Sequence, residues 1–253
     1  LFLYTVNCGI NYYASSFSSY AGLEDGTYTE EELEALCSDL VELVNESAKS
    51  GRQSYRENRS AWRAEAVTAM QAAGEQFSCL GGFYPKPKEV LVSQILSVQQ
   101  LCGVYSPFTV EANYNGDMPD YNVPHTLCHE LSHLKGFMRE DEANFIAYLA
   151  CYNSDNTELR YSGAMMGLIH ATNRLYRYDP DAWQEIYTLL PEGVLRDLAA
   201  NSRYWKKYET PVGETADRWN DAYLKANDQT DGVQSYGRMV DLLIAFYRAQ
   251  GLI

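Results

Sequence analysis

The sequence predicts an α+β fold in which helices predominate. Three observations carry that prediction. Apolar residues recur at helical spacing along most of the 253 residues. One stretch, residues 81–115, changes character and becomes rich in β-branched and aromatic residues set between turn formers. No repeat, low-complexity tract or linker breaks the chain, so it reads as a single domain over residues 1–253. With 46% apolar residues, such a domain can bury a substantial core.

Residues 1–6 are apolar and far too short to span a bilayer by themselves. They read either as the end of a longer transmembrane segment or as a strand or helix turn docked on the core. No basic start or cleavage site marks a signal peptide. Thr29 followed by Glu30, Glu31 and Glu32 is a cap-and-acid start, which opens a helix to about Ser50. A second amphipathic run follows over residues 55–73.

Between Gly81 and Asn115 a small sheet is expected, with strands over residues 89–93 and 108–113. A polar loop over 115–122 then leads to Pro124, which suits a first helical turn. Leu127, Leu131 and Leu134 carry that helix to Gly136, a natural stop. Further helices are expected over residues 139–152, 161–176, 181–190, 192–200, 214–225 and 236–249, with a polar loop at 226–232 between the last two.

The formal charge of −14, with basic residues scattered, argues against nucleic acid as a partner. The six cysteines, Cys8, Cys37, Cys79, Cys102, Cys128 and Cys151, contain no Cys-x-x-Cys pair, which excludes a zinc ribbon or a thioredoxin-type centre. Cys128 and Cys151 read as small buried hydrophobes. Twenty-one tyrosines suggest a core that mixes aromatic packing with phenolic hydrogen bonds.

The chemistry is concentrated in His129-Glu130-Leu131-Ser132-His133. Two histidines four residues apart lie one above the other on a helix face and can present imidazole nitrogens to one Zn2+ ion. Glu130, beside the first of them, is placed to take a proton from a zinc-bound water. Two surface histidines on an ordinary helix would share the spacing, but not the adjacent base on a Pro-started, Gly-stopped apolar helix.

A third ligand must leave the fourth position open for water. His-Glu-x-x-His-x-x-Gly resembles the metzincins up to Gly136, but Arg139 stands where those enzymes carry a third histidine. In the gluzincins the third ligand is a Glu on a following helix, with a small residue three positions on and an Asp or Asn four positions on. Glu140, Ala143 and Asn144 match those offsets, with Asn144 as the outer partner of a ligand histidine. Counting from Glu142 gives Phe145 and Ile146, so Glu142 stands as the alternative ligand. The short connection from His133 to Glu140 demands a tight turn at Gly136.

His125, one turn before His129 on the same face, could approach the site but reads more readily as a solvated or capping histidine of a first turn. His170 reads as a hydrogen-bonded core residue, though a transition-state donor from a later helix would look the same. Tyr236 and Arg238 are candidates for contact with the substrate or transition state. The strand over 108–113 is either an edge that holds an extended peptide or an interior strand.

Several stretches together resemble the bacterial DUF3810 family of membrane-anchored, zinc-peptidase-like proteins of uncharacterised activity. They are Gly9-Ile10-Asn11-Tyr12, Gly82-Phe83-Tyr84-Pro85, the run His129 to Cys151, and the stretch from Leu224-Lys225-Ala226-Asn227 to Leu243. The resemblance implies that residues 1–6 end a transmembrane segment and that the domain faces the outside of the cell membrane. The residues and the resemblance together lead to the expectation of a gluzincin-like zinc metallopeptidase acting on a peptide or protein. Two rival expectations are a metal-binding sensor or scaffold without turnover, and a zinc hydrolase of a non-peptide substrate.

Overall fold

The computed structural model describes residues 2–23, 26–49, 53–211, 213 and 236–253. Three short helical pieces come first: α1 (Phe2–Asn7), a 3-10 turn (Gly9–Tyr13) and α2 (Phe17–Ala21). Two long helices follow, α3 (Glu30–Ala48) and α4 (Tyr55–Gln76). The sheet region holds β1 (Lys88–Glu89), a short helix α5 (Gln94–Val98), β2 (Gly103–Ser106) and β3 (Glu111–Tyr114). Then come α6 (Asn122–Leu134), α7 (Glu140–Tyr152), α8 (Thr157–Tyr178), α9 (Pro180–Thr188), α10 (Glu192–Lys206) and, as the last described helix, α11 (Tyr236–Ala249). The fold is α+β with helices predominating, as the hydrophobic pattern predicts.

The start of α3 is fixed by a capping box. The Thr29 hydroxyl accepts from the Glu32 amide, and the Glu32 carboxylate accepts from the Thr29 amide at 2.8 Å. Leu33, Leu36, Cys37, Leu40, Val41 and Val44 then fall on one buried stripe. That stripe packs on α8, and Gly167 of α8 allows the close approach: a Cβ there would come within 3.1 Å of Leu40 and 3.0 Å of Tyr148. Buried residues of α6, α7 and α8 join those of α3, α4 and α11 in one continuous apolar core.

The sheet has the order β1-β3-β2, with β1 parallel and β2 antiparallel to β3. Gly103 pairs with Tyr114 and Ser106 with Glu111. β3 is therefore the central strand, and of the two expected roles for residues 108–113 the interior one applies.

The strand expected over 108–113 begins only at Glu111. Phe108 and Val110 are exposed in the β2–β3 turn, where Val110 takes a φ of 54° that no strand residue adopts. The strand expected over 89–93 stops at Glu89, after which Leu91 is fully exposed in the approach to α5. The helix expected at 214–225 and the loop at 226–232 lie outside the described residues. At the other end, none of the α1 residues is buried, and no described helix is long and apolar enough to cross a membrane.

Candidate metal centre

Helices α6 and α7 cross in the core and present three donors to one point. His129 and His133 project from one face of α6, and Glu140 is the first residue of α7. The His129 and His133 Nε2 atoms are 3.0 Å apart. Glu140 Oε2 lies 3.3 Å from His129 Nε2, and Glu140 Oε1 lies 3.6 Å from His133 Nε2.

The turn between the helices sets this geometry. Gly136 has a φ of 96°, its amide donates to the His133 carbonyl at 2.9 Å, and the Phe137 amide donates to the Ser132 carbonyl at 3.2 Å. These are the two bonds of a Schellman motif with glycine in the left-handed position. The turn leaves the Phe137 carbonyl facing back, where it accepts from His133 Nδ1 at 2.8 Å. That bond puts the proton on Nδ1 and leaves the Nε2 lone pair aimed at the other two donors. Phe137 is itself held edge-on by Phe17 and Tyr20. The tight connection at Gly136 is thus what orients the second histidine.

Electrostatically the cluster calls for a cation. Burial alone would lower the His129 pKa, yet the hydrogen bond and charge of Glu140, with the charge of Glu130, raise it above its ordinary value. Burial opposes ionisation of Glu140, but the two imidazoles pull its carboxyl down to about 2. His133 is driven down to about 4, by burial first and the His129 charge second. Two imidazole lone pairs and a carboxylate therefore converge on a place where a proton, or a metal ion, must sit.

The donor separations suit a metal. Tetrahedral coordination with bonds of about 2.0–2.1 Å puts neighbouring ligand atoms roughly 3.3 Å apart, and the observed 3.0, 3.3 and 3.6 Å bracket that edge. His129, His133 and Glu140 can thus hold a metal ion. Side-chain exposures of 12%, 9% and 21% for these three leave the centre partly open to solvent.

Glu130 is 3% exposed, and its Oε2 has no hydrogen-bond partner among the described residues. Burial pushes its carboxyl up to about 8, with His129 lowering and Glu140 raising it. The side chain lies against the first residue of β2: a Cβ on Gly103 would collide with Oε1 and come within 2.7 Å of Cγ and Cδ. Gly103 is thus a site residue that the sequence reading missed, because nothing local to it marks a contact with a residue on α6. Cys102, next to it, is exposed.

Asn144 lies on α7 one turn beyond Glu140, and its side chain acts on His129 to raise the imidazole pKa. Their side chains share no hydrogen bond, and among the described residues His129 Nδ1 and Asn144 Nδ2 are both buried without a partner. His125 is neither solvated nor capping: it is 2% exposed, and its Nε2 donates to the Asn144 carbonyl at 3.2 Å. Pro124 and α6 sit deep in the core, so even their first turn is covered. His170, on α8, is driven down to about 4 by burial and the His129 charge.

Glu142 points away from the cluster and accepts from the Phe17 amide at 2.8 Å. Arg238 on α11 donates to Asp141 at 2.8 Å. Tyr236 opens α11, and its side chain lies outside the described residues. Cys128 and Cys151 are free and buried, as expected.

A family model described as a protein of unknown function, DUF3810, matches residues 1–244. No curated protein and no solved structure matches the chain.

Proposed function

The chain belongs to the DUF3810 family, and from its own residues we propose that it is a zinc-dependent metallopeptidase whose general base is Glu130. One observation carries this reading: three donors at tetrahedral separations converge beside a buried carboxylate whose Oε2 has no hydrogen-bond partner among the described residues. Two imidazoles and one carboxylate form a donor set that suits zinc and leaves a fourth position open, as a catalytic site requires and a structural one does not.

Zinc bound there would supply a Lewis acid that lowers the pKa of a water molecule. The rest of the work falls to the chain. Glu130 takes the proton of the attacking water on Oε2 and passes it to the departing amine. His133, locked by the Phe137 carbonyl, keeps its lone pair inward, and Asn144 stands beside His129, where it favours the protonated imidazole.

The peptide part of the reading rests on β2. It is an outer strand of the described sheet and begins against the Glu130 side chain. An extended chain laid along it would gain main-chain hydrogen bonds without regard to its side chains. We also propose that the domain is anchored at the cell membrane and faces outward. The anchoring part of that reading is supported by the absence of any acidic, basic or histidine residue in the first 23 positions and by the exposed Phe2, Leu3 and Val6 of α1.

Purified protein incubated with a mixed peptide library is expected to yield new termini, to stop when the metal is chelated, and to resume on stoichiometric Zn2+. Cleavage that persists in chelator would rule the reading out. Gly103→Ala should lower the rate about a hundredfold, because displacing a base by about 1 Å costs that much. Metal content should remain that of the wild type; an unchanged rate would mean that Glu130 does not act from this position.

A further inference from the structure

The first turn of α7 carries three consecutive acids, and each is held by a different part of the molecule. Glu140 lies between the two imidazoles. Asp141 accepts from Arg238 Nε at 2.8 Å, which ties it to α11 near the other end of the chain. Glu142 accepts from the Phe17 amide at 2.8 Å and lies 3.6 Å from Arg139. Successive helical residues point about 100° apart, so these anchors fan out around the axis and fix the rotation of the turn. The turn needs them, because its N-cap residue, Arg139, makes no side-chain capping bond.

We infer that Arg238 is a positioning residue for the metal centre, acting through Asp141 to aim the Glu140 carboxylate at the two histidines. The inference rests on His129, His133 and Glu140 being metal ligands. Asp141 is 5% exposed, and its Oδ1 is buried without a hydrogen-bond partner among the described residues. The guanidinium is the cation bonded to its other oxygen, and without it a buried carboxylate is left uncompensated beside a ligand. Such a turn relaxes toward water and takes Glu140 with it. Outer partners of metal ligands are worth about 10–100-fold in metal affinity.

A pure charge effect has the opposite sign. Arg238 is positive, so its removal would strengthen the binding of a divalent cation if it acted only through its field. The sign of the change therefore separates positioning from electrostatics.

The test uses the full chain with Co2+ as probe, reading affinity by chelator competition and geometry from the visible absorption of the bound ion. Arg238→Gln should weaken Co2+ binding about 10–100-fold and alter the spectrum. The double variant Asp141→Asn with Arg238→Gln strands no charge and leaves the net charge unchanged. It covers the case in which the single variant fails to fold, and it too should bind Co2+ more weakly than the wild type, because the tether is gone. Wild-type affinity and spectrum in the double variant, or tighter binding in Arg238→Gln, would overturn the positioning role alone. A wild-type protein that binds no Co2+ would overturn the metal reading beneath it.

Discussion

Glu130→Gln is expected to lower peptide hydrolysis by about 10²–10⁴-fold, the usual contribution of a positioned general base, while the protein keeps its metal. The substitution preserves shape, so the close contact with Gly103 survives and any loss reflects the proton acceptor. Among the described residues Oε2 has no hydrogen-bond partner, and in the metal-free protein burial holds the carboxyl up at about 8. The wild-type rate should climb with pH as Glu130 loses its proton, since only the carboxylate can accept one, and this limb should be missing from the residual rate of the variant. Metal analysis alongside the rates completes the experiment. A variant that retains a tenth or more of the wild-type activity would show that the base lies elsewhere.

The second large effect separates two acids two positions apart. Glu140→Ala should weaken metal binding roughly 10²–10⁴-fold, if a total of about 10–16 kcal/mol is shared among the three protein ligands. Glu142→Ala should leave metal affinity within about tenfold of the wild type. Its cost should appear in thermal unfolding instead, because the buried Phe17 amide loses its acceptor, a loss of about 1–3 kcal/mol. The reverse pattern, with metal lost from Glu142→Ala alone, would move the third ligand and remove the basis for the donor geometry described above.

What the sequence reveals of this site follows from how local each feature is. The helix that carries His129 and His133 is legible because Pro124, Leu127, Leu131 and Gly136 lie within it or at its end. Glu140 and Asn144 are legible because helical spacing alone relates them. The parts that escape are long-range. Gly103 matters through a side chain on α6, and the partner of Arg238 lies nearly a hundred residues away, so neither leaves a mark in its own neighbourhood.

The strand boundaries failed for another reason. Phe108 and Val110 have the composition of a strand, but they occupy a turn in which both are exposed, and propensity has no means of seeing which way a turn opens. Helix α5, at Gln94–Val98, was missed because a single turn and a half has too few residues to show a period.

The proposed ligands all fall between His129 and Glu140, within two helices joined by one Schellman turn. Bringing them together closes only a very short loop, so the entropy of assembly is small and the sheet need not have formed first. The α6–α7 hairpin could therefore capture its ion early, while the chain is still folding, and serve as the nucleus on which the distant anchors, Phe17 and Arg238, later condense. Metal would then act on the rate of folding as well as on stability, and refolding with Zn2+ present from the start should outpace refolding to which it is added at the end.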